Sequence, residues 1–351
     1  MSPFEIAGRI IGPDQPPYVV AEAGVNHNGD PALAVRLVEA AAEAGADAVK
    51  FQTFRASALA TASAPQAAYQ RQRASAVSQR EMLRSLELPE DALRAAFDRA
   101  SELGIAAFST PFDVESLAVL VRLGVPAIKI GSGDLTDPFL LRAVAGAGLP
   151  MILSTGMSNL DEVDAAVAVI DAVGDPPLAL LHCLSAYPAP PGETNLRAIP
   201  AMRERYNLEI GFSDHTTGFA APIAAVALGA TIIEKHLTLD HALAGPDHAA
   251  SMEPAELGSL VSALREAHAA LGDGIKRPQP SEEETRRVAR RSLVAARDLA
   301  AGTVLTEDDL DAKRPADGIS AMRLDDVVGR RLSRTISRDA IVQPSDLQPS
   351  E

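Results

Sequence analysis

The chain has 351 residues, 47% of them hydrophobic and 23% charged, and its 47 acidic side chains outnumber 32 basic ones for a formal charge of −15. That mix excludes a disordered chain, and the negative balance argues against a nucleic-acid partner, because a phosphate backbone would meet net repulsion. A single cysteine, Cys183, excludes an intrachain disulfide, and there is neither an apolar leader after a basic start nor an uninterrupted apolar run of membrane-spanning length, so a cytoplasmic protein with no membrane partner is expected.

Eight short apolar or β-branched runs follow one another, each succeeded by a polar turn and a segment of helical periodicity. In chain order they begin at Tyr18 (YVVAEAG), Ala46 (ADAVKFQ), Ile105 (IAAFST), Ala127 (AIKIGSG), Met151 (MILSTG), Leu178 (LALLHC), Leu208 (LEIGFSD) and Thr231 (TIIEKH). Such alternation implies parallel strands with right-handed crossovers, and a count of eight implies closure into an α/β (β/α)8 TIM barrel over residues 1–272. No GxGxxG follows the first run, which weakens the doubly wound alternative. The long connection between the second and third runs reads either as a substrate-covering loop over the barrel mouth or as a plain surface excursion. After the last barrel helix, GDGIKRPQPSEEETRR predicts a linker over residues 273–289. A small β-rich domain follows over 290–351, with a helix N-cap at Thr306; about 60 residues make little core, so it is expected to lean on the barrel or on a partner subunit.

Almost every predicted strand ends in a side chain able to do chemistry: Glu22, Lys50 with Gln52, Thr110, Lys129 with Ser132, Ser154, Ser185, Ser213 with His215, and Glu234 with His236. Strand ends define the catalytic face of a barrel, and buried strand ends do not otherwise need charged groups. His215 and His236 close neighbouring strands and are candidates to share a metal ion, with Asp214 and Glu234 as orienting groups beside them. Lys50 and Lys129, with the hydroxyls of Thr110, Ser132, Ser154 and Ser213, would form a cradle for phosphate or carboxylate; a Schiff-base lysine of an aldolase is the rival reading. His182 lies in an apolar strand and reads as structural, while His27, His241 and His248 sit in turns where substrate contact stays open.

Taken in order, EAGVNHNG, KFQTF, STPFD, KIGSGDL, STGMS, LHCLSAYP, GFSDHTTG, IEKHLTLD and GPDHAASMEP closely resemble the bacterial N-acetylneuraminate (sialic acid) synthase family, and KRPADGIS resembles the antifreeze-like (SAF) domain that ends those enzymes. The resemblance implies condensation of phosphoenolpyruvate with an open-chain N-acetylated hexosamine, typically N-acetylmannosamine, releasing phosphate and forming a nine-carbon 2-keto acid. It also implies a divalent metal, Mn2+ with Mg2+ or Co2+ as substitutes, on His215 and His236. Lys50, Thr110, Lys129, Ser132, Ser154, Ser185 and Ser213 would hold phosphoenolpyruvate, Ser185 standing where many members have Asn. Gln52, Tyr187 and Asp247 would face the sugar, and Glu22 or Glu234 would accept the proton of the attacking water. Arg314 would reach the acetamido group from the other subunit of a domain-swapped homodimer. Legionaminic and pseudaminic acid synthases, which use 2,4-diacetamido sugars, share this pattern, and the difference is expected to lie in residues 69–73 and near Asp247.

Overall fold

The computed structural model describes residues 4–65 and 78–349. It begins with a hairpin that the sequence reading did not anticipate: β1 (Phe4–Ile6) and β2 (Arg9–Ile11) pair antiparallel around Ala7 and Gly8, both at positive φ. That two-residue turn has the twist a hairpin needs. Phe4, Ile6 and Ile11 are buried in the main core, while Arg9 pairs with Asp47 and lies 5.2 Å from the Tyr18 ring centre. Tyr18 opens the first barrel strand and Asp47 precedes the second, so the hairpin closes the amino-terminal end of the barrel and leaves its carboxyl end clear.

The eight expected runs are the eight strands of a closed parallel barrel: β3 (Tyr18–Gly24), β4 (Ala48–Thr53), β5 (Ala106–Pro111), β6 (Ile128–Ile130), β7 (Met151–Ser154), β8 (Leu178–Cys183), β9 (Glu209–Asp214) and β10 (Ile232–His236). Strands covered on both faces must be apolar throughout, which is why outward Val19, Val49, Ile130, Leu153 and Leu180 and inward Val20, Ile152 and Leu181 are all fully buried. At Gly211 a Cβ would stand 2.5 Å from the Ile232 carbonyl oxygen, so β9 and β10 approach as closely as they do only because that side chain is absent.

Helix boundaries follow local chemistry. Asp30 before Pro31, Asp113, Asp137 before Pro138, and Asn159 with Glu162 as a capping box start helices by accepting from free backbone amides. Gly104 and Gly124 stop two of them in the left-handed conformation. In the connection after β4, short helices at Ala56–Leu59 and Gln79–Arg84 are seated by a separate apolar cluster of Val25, Phe54, Met82 and Leu86. Residues 69–73, where sugar specificity was expected, lie outside the described residues.

The chain divides into two units, Met1–Gly272 and Asp273–Glu351. The expected linker, residues 273–289, groups with the second unit and carries a short helix, Glu283–Ala289. In that unit β11 (Ser292–Ala295) pairs antiparallel with β12 (Leu310–Lys313) over a core that includes Leu293, Leu299, Leu305, Ile336 and Val342. Thr306 caps a single 3-10 turn, Glu307–Asp309, rather than a longer helix. The same device recurs with Gln343 and Asp346: buried Asp309 pairs with Arg297, and buried Asp346 with Arg334. Ala295 opposes Leu310 as Leu332 opposes Leu347, and Leu299 opposes its own counterpart, Ile336. The small domain thus uses one turn device twice, each copy closed by a buried aspartate. Among the described residues no helix is long and apolar enough to cross a membrane.

Candidate active site

A cleft of about 720 Å³ opens at the carboxyl ends of the barrel strands. Every predicted strand-end residue lines it: Glu22, Lys50, Gln52, Thr110, Lys129, Ser132, Ser154, Ser185, Ser213, His215, Glu234 and His236, with Tyr187 at its edge. Strand register explains the convergence. Glu22 opposes Lys50, Gln52 opposes Thr110, Ser213 opposes Glu234 and His236 opposes Glu22, so inward side chains of adjacent strands meet at one level.

Two ammonium groups and two carboxyls form the floor. Lys50 Nζ pairs with Glu22, donates to Thr110 Oγ1 at 3.2 Å and lies 3.7 Å from Glu234. Lys129 Nζ donates to Ser154 Oγ at 2.7 Å and lies 3.5 Å from Glu234. All four are nearly or fully buried, where charges must be paired. Burial pushes the Glu22 carboxyl up to about 7 despite Lys50 and a hydrogen bond from Gln52. Glu234 meets the same burial, but Lys129, Lys50 and the Ser213 hydroxyl outweigh it and hold its carboxyl at about 2. Burial lowers both ammonium groups; Glu22 and Glu234 more than reverse this for Lys50, while Lys129 stays below its ordinary value.

Beside the lysines the chain leaves room for a ligand. A Cβ at Gly156 would stand 2.4 Å from Ser185 Oγ, 2.8 Å from Ser132 Oγ and 3.2 Å from Cys183 Sγ, and the Gly156 amide donates to Ser132 Oγ at 3.0 Å. Only a glycine keeps these hydroxyls and the amide converged.

The imidazoles of His215 and His236 face each other across the mouth, ring centres 5.5 Å apart, with the Tyr187 ring 4.1 Å from the first and 5.9 Å from the second. His215 Nδ1 donates to the Leu184 carbonyl at 2.8 Å, leaving Nε2 as a lone-pair donor. His236 Nδ1 is buried without a hydrogen-bond partner, and burial with the nearby His215 and Lys50 charges keeps the ring neutral. His215 is drawn the other way: burial lowers its proton affinity, but Cys183 and the Leu184 carbonyl more than reverse this, so a divalent cation bound there would displace a proton. No group of three His, Cys, Asp or Glu ligands exists among the described residues, so such a cation would have two protein ligands and open positions, as catalytic rather than structural sites do.

Asp214 does not orient an imidazole as expected. Strand alternation turns it away from Ser213 and His215, and it pairs instead with Lys235 at 2.7 Å. Glu234 likewise spends its oxygens on Ser213 and the lysines. Asp247 is not among the cleft-lining residues; it sits half-buried after β10, its carboxyl pushed up to about 6 by burial. Arg314 is exposed in the second unit, just after β12. His182, His241 and His248 serve local structure, bonding the Thr194 carbonyl, the Ser251 carbonyl and the Thr238 hydroxyl, and His27 accepts from the Gly29 amide. Cys183 and Asp134 line the cleft without having been singled out; Asp134 Oδ2 is buried and unpartnered, and burial with Asp137 nearby raises that carboxyl to about 7.

Residues 37–276 match the NeuB family and residues 290–348 the SAF domain. The chain is 44% identical over 328 residues to N,N'-diacetyllegionaminic acid synthase of Campylobacter jejuni, covering 93% of this chain and 98% of that protein. It is 35% identical to human N-acetylneuraminate-9-phosphate synthase, over 95% of this chain and 93% of the human one. Among solved structures, N-acetylneuraminic acid synthetase from Leptospira borgpetersenii in complex with citrate aligns with a TM-score of 0.72 and 36% identity, covering 81% of this chain and 95% of that one.

Proposed function

The chain belongs to the NeuB family, and from that premise we propose that it condenses phosphoenolpyruvate with an open-chain 2,4-diacetamido sugar to make a nine-carbon acid of the legionaminic type. Identity supports this acceptor over N-acetylmannosamine, the leading expectation from sequence: 44% to a diacetyllegionaminic acid synthase, against 35% and 36% to the N-acetylneuraminate enzymes. The observation that carries the reaction type is the shared floor of Lys50, Lys129, Glu22 and Glu234 beneath two facing imidazoles.

In this reading Lys50, Lys129, Thr110, Ser132, Ser154, Ser185 and Ser213 receive the phosphate and carboxylate of phosphoenolpyruvate, the Gly156 amide holding Ser132 Oγ in place. A divalent cation, Mn2+ as the first choice, held by His215 and His236, supplies Lewis-acid polarisation of the sugar aldehyde when bound. Gln52 and Tyr187 line the sugar side of the cleft. The methylene carbon of phosphoenolpyruvate forms the new C–C bond to the aldehyde carbon as the C=O π bond opens to an alkoxide, which takes up a proton to become a hydroxyl, and the neighbouring carbon, left electron-poor, takes up water. Glu22, poised near neutrality, accepts the proton of that water, while Glu234 stays ionised and balances the two lysines. The tetrahedral adduct then breaks its C–O bond and releases phosphate. A Schiff-base aldolase would need a free neutral amine, whereas Lys50 is paired with Glu22 and Lys129 bonds Ser154. The proposal extends to a cytoplasmic homodimer in which Arg314 of the partner subunit and Asp247 meet the sugar.

The test is phosphate release from phosphoenolpyruvate with acetamido sugars, with Mn2+ and again with EDTA. Release requiring both sugar and cation is expected; release indifferent to chelation, or none with any sugar, rejects the reading.

A further inference from the structure

Resting on the cation reading above, we infer that Asp214 and Lys235 are positioning residues that hold His215 and His236 in fixed relation to each other. The two side chains are direct register partners on β9 and β10, joined by a 2.7 Å ion pair, and each is 1% exposed. Lys235 Nζ also donates to the Thr216 carbonyl, and the Thr216 amide donates to Asp214 Oδ1 at 2.9 Å. One ammonium group, on the residue before His236, thereby grips the chain on both sides of His215.

Neither residue faces the cleft. Alternation puts both on the outer surface of the barrel wall, under the helices. On β4, β6 and β7 the outward residue next to a mouth residue is apolar and fully buried: Phe51 beside Lys50, Ile130 beside Lys129, Leu153 beside Ser154. β9 and β10, the strands that end at the two imidazoles, carry a charge pair in that layer instead. A buried ion pair stabilises a fold little or not at all compared with well-packed apolar residues, but it fixes geometry through directed bonds. His236 needs that help, because no hydrogen bond holds its Nδ1 and its place depends on the backbone that Lys235 anchors.

The experiment is a Mn2+ titration followed by EPR on the full-length protein without substrates, comparing wild type, Asp214→Asn, the apolar double variant Asp214→Leu/Lys235→Met, and His215→Ala. Phosphoenolpyruvate binding without metal, measured by calorimetry, serves as the second readout. The double variant is expected to lose about 10- to 100-fold in Mn2+ affinity and Asp214→Asn several-fold, while phosphoenolpyruvate affinity stays within about threefold, since of its cradle only Ser213 lies on β9 and none on β10. Wild-type Mn2+ affinity in both folded variants would overturn the inference, as would equal losses of Mn2+ and phosphoenolpyruvate binding, which mark a general structural role. Should the double variant fail to fold, Asp214→Asn decides alone. Equal Mn2+ binding by wild type and His215→Ala would instead show that the histidine reading had failed, and the inference would fall with it.

Discussion

Glu22 and Glu234 address the same ammonium group, Lys50 Nζ, from two neighbouring strands and end with opposite proton affinities. Lys129 and the Ser213 hydroxyl reach Glu234, which stays ionised at about 2; Glu22 has one cation and complete burial, and its carboxyl rises to about 7. In the proposed reaction, two carboxyls whose surroundings drive them apart would divide the work of proton transfer and charge balance.

A base must be ionised to accept a proton, so turnover should fall as the pH drops through about 7, the value to which burial lifts Glu22. Glu22→Gln should lose about 100- to 1,000-fold in kcat and with it that acidic limb. A kcat–pH profile of the variant that kept the limb would move the role to another group.

Lys129 is one of the two cations that keep Glu234 ionised, and it bonds Ser154 in the proposed phosphoenolpyruvate cradle. Lys129→Met should raise KM for phosphoenolpyruvate by at least about tenfold and lower unfolding stability by about 3 kcal/mol, because a buried carboxylate loses a partner. Steady-state kinetics and urea denaturation measure the two effects separately.

His236→Ala removes a neutral imidazole with an unpartnered Nδ1, so the fold loses no hydrogen bond there. Metal-dependent turnover should drop by at least about a thousandfold with the melting temperature nearly unchanged. Full activity in this variant after exhaustive chelation would remove the metal assignment.

Gly156→Ala places a methyl group 2.4 Å from Ser185 Oγ and 2.8 Å from Ser132 Oγ. The Ser185 and Ser132 side chains must swing aside, and KM for phosphoenolpyruvate should rise more than about tenfold at little cost in stability. An unchanged KM would place the phosphate or carboxylate elsewhere in the cleft.

The barrel was legible because each strand is an apolar run closed by a polar residue, and strand ends of a barrel share one rim. The amino-terminal hairpin was not, since three-residue strands such as Phe4–Ile6 carry too little period to register. Asp214 was misread through proximity in sequence: adjacency to His215 suggested contact, whereas the period of two puts neighbours on opposite faces and could have assigned it to Lys235. The same period, carried back from Ser185, would have brought Cys183 into the cleft. Gly156 was invisible as a site residue because its contribution is the side chain it lacks. The division between Glu22 and Glu234 depends on which lysine lies near which oxygen, and only packing determines that.

The most direct measurement is kcat/KM for phosphate release from phosphoenolpyruvate with Mn2+, comparing a 2,4-diacetamido sugar with N-acetylmannosamine. The expected result is a preference of at least about tenfold for the diacetamido sugar. Equal or better turnover of N-acetylmannosamine would contradict the proposed acceptor, and no release with either sugar would contradict the condensation itself.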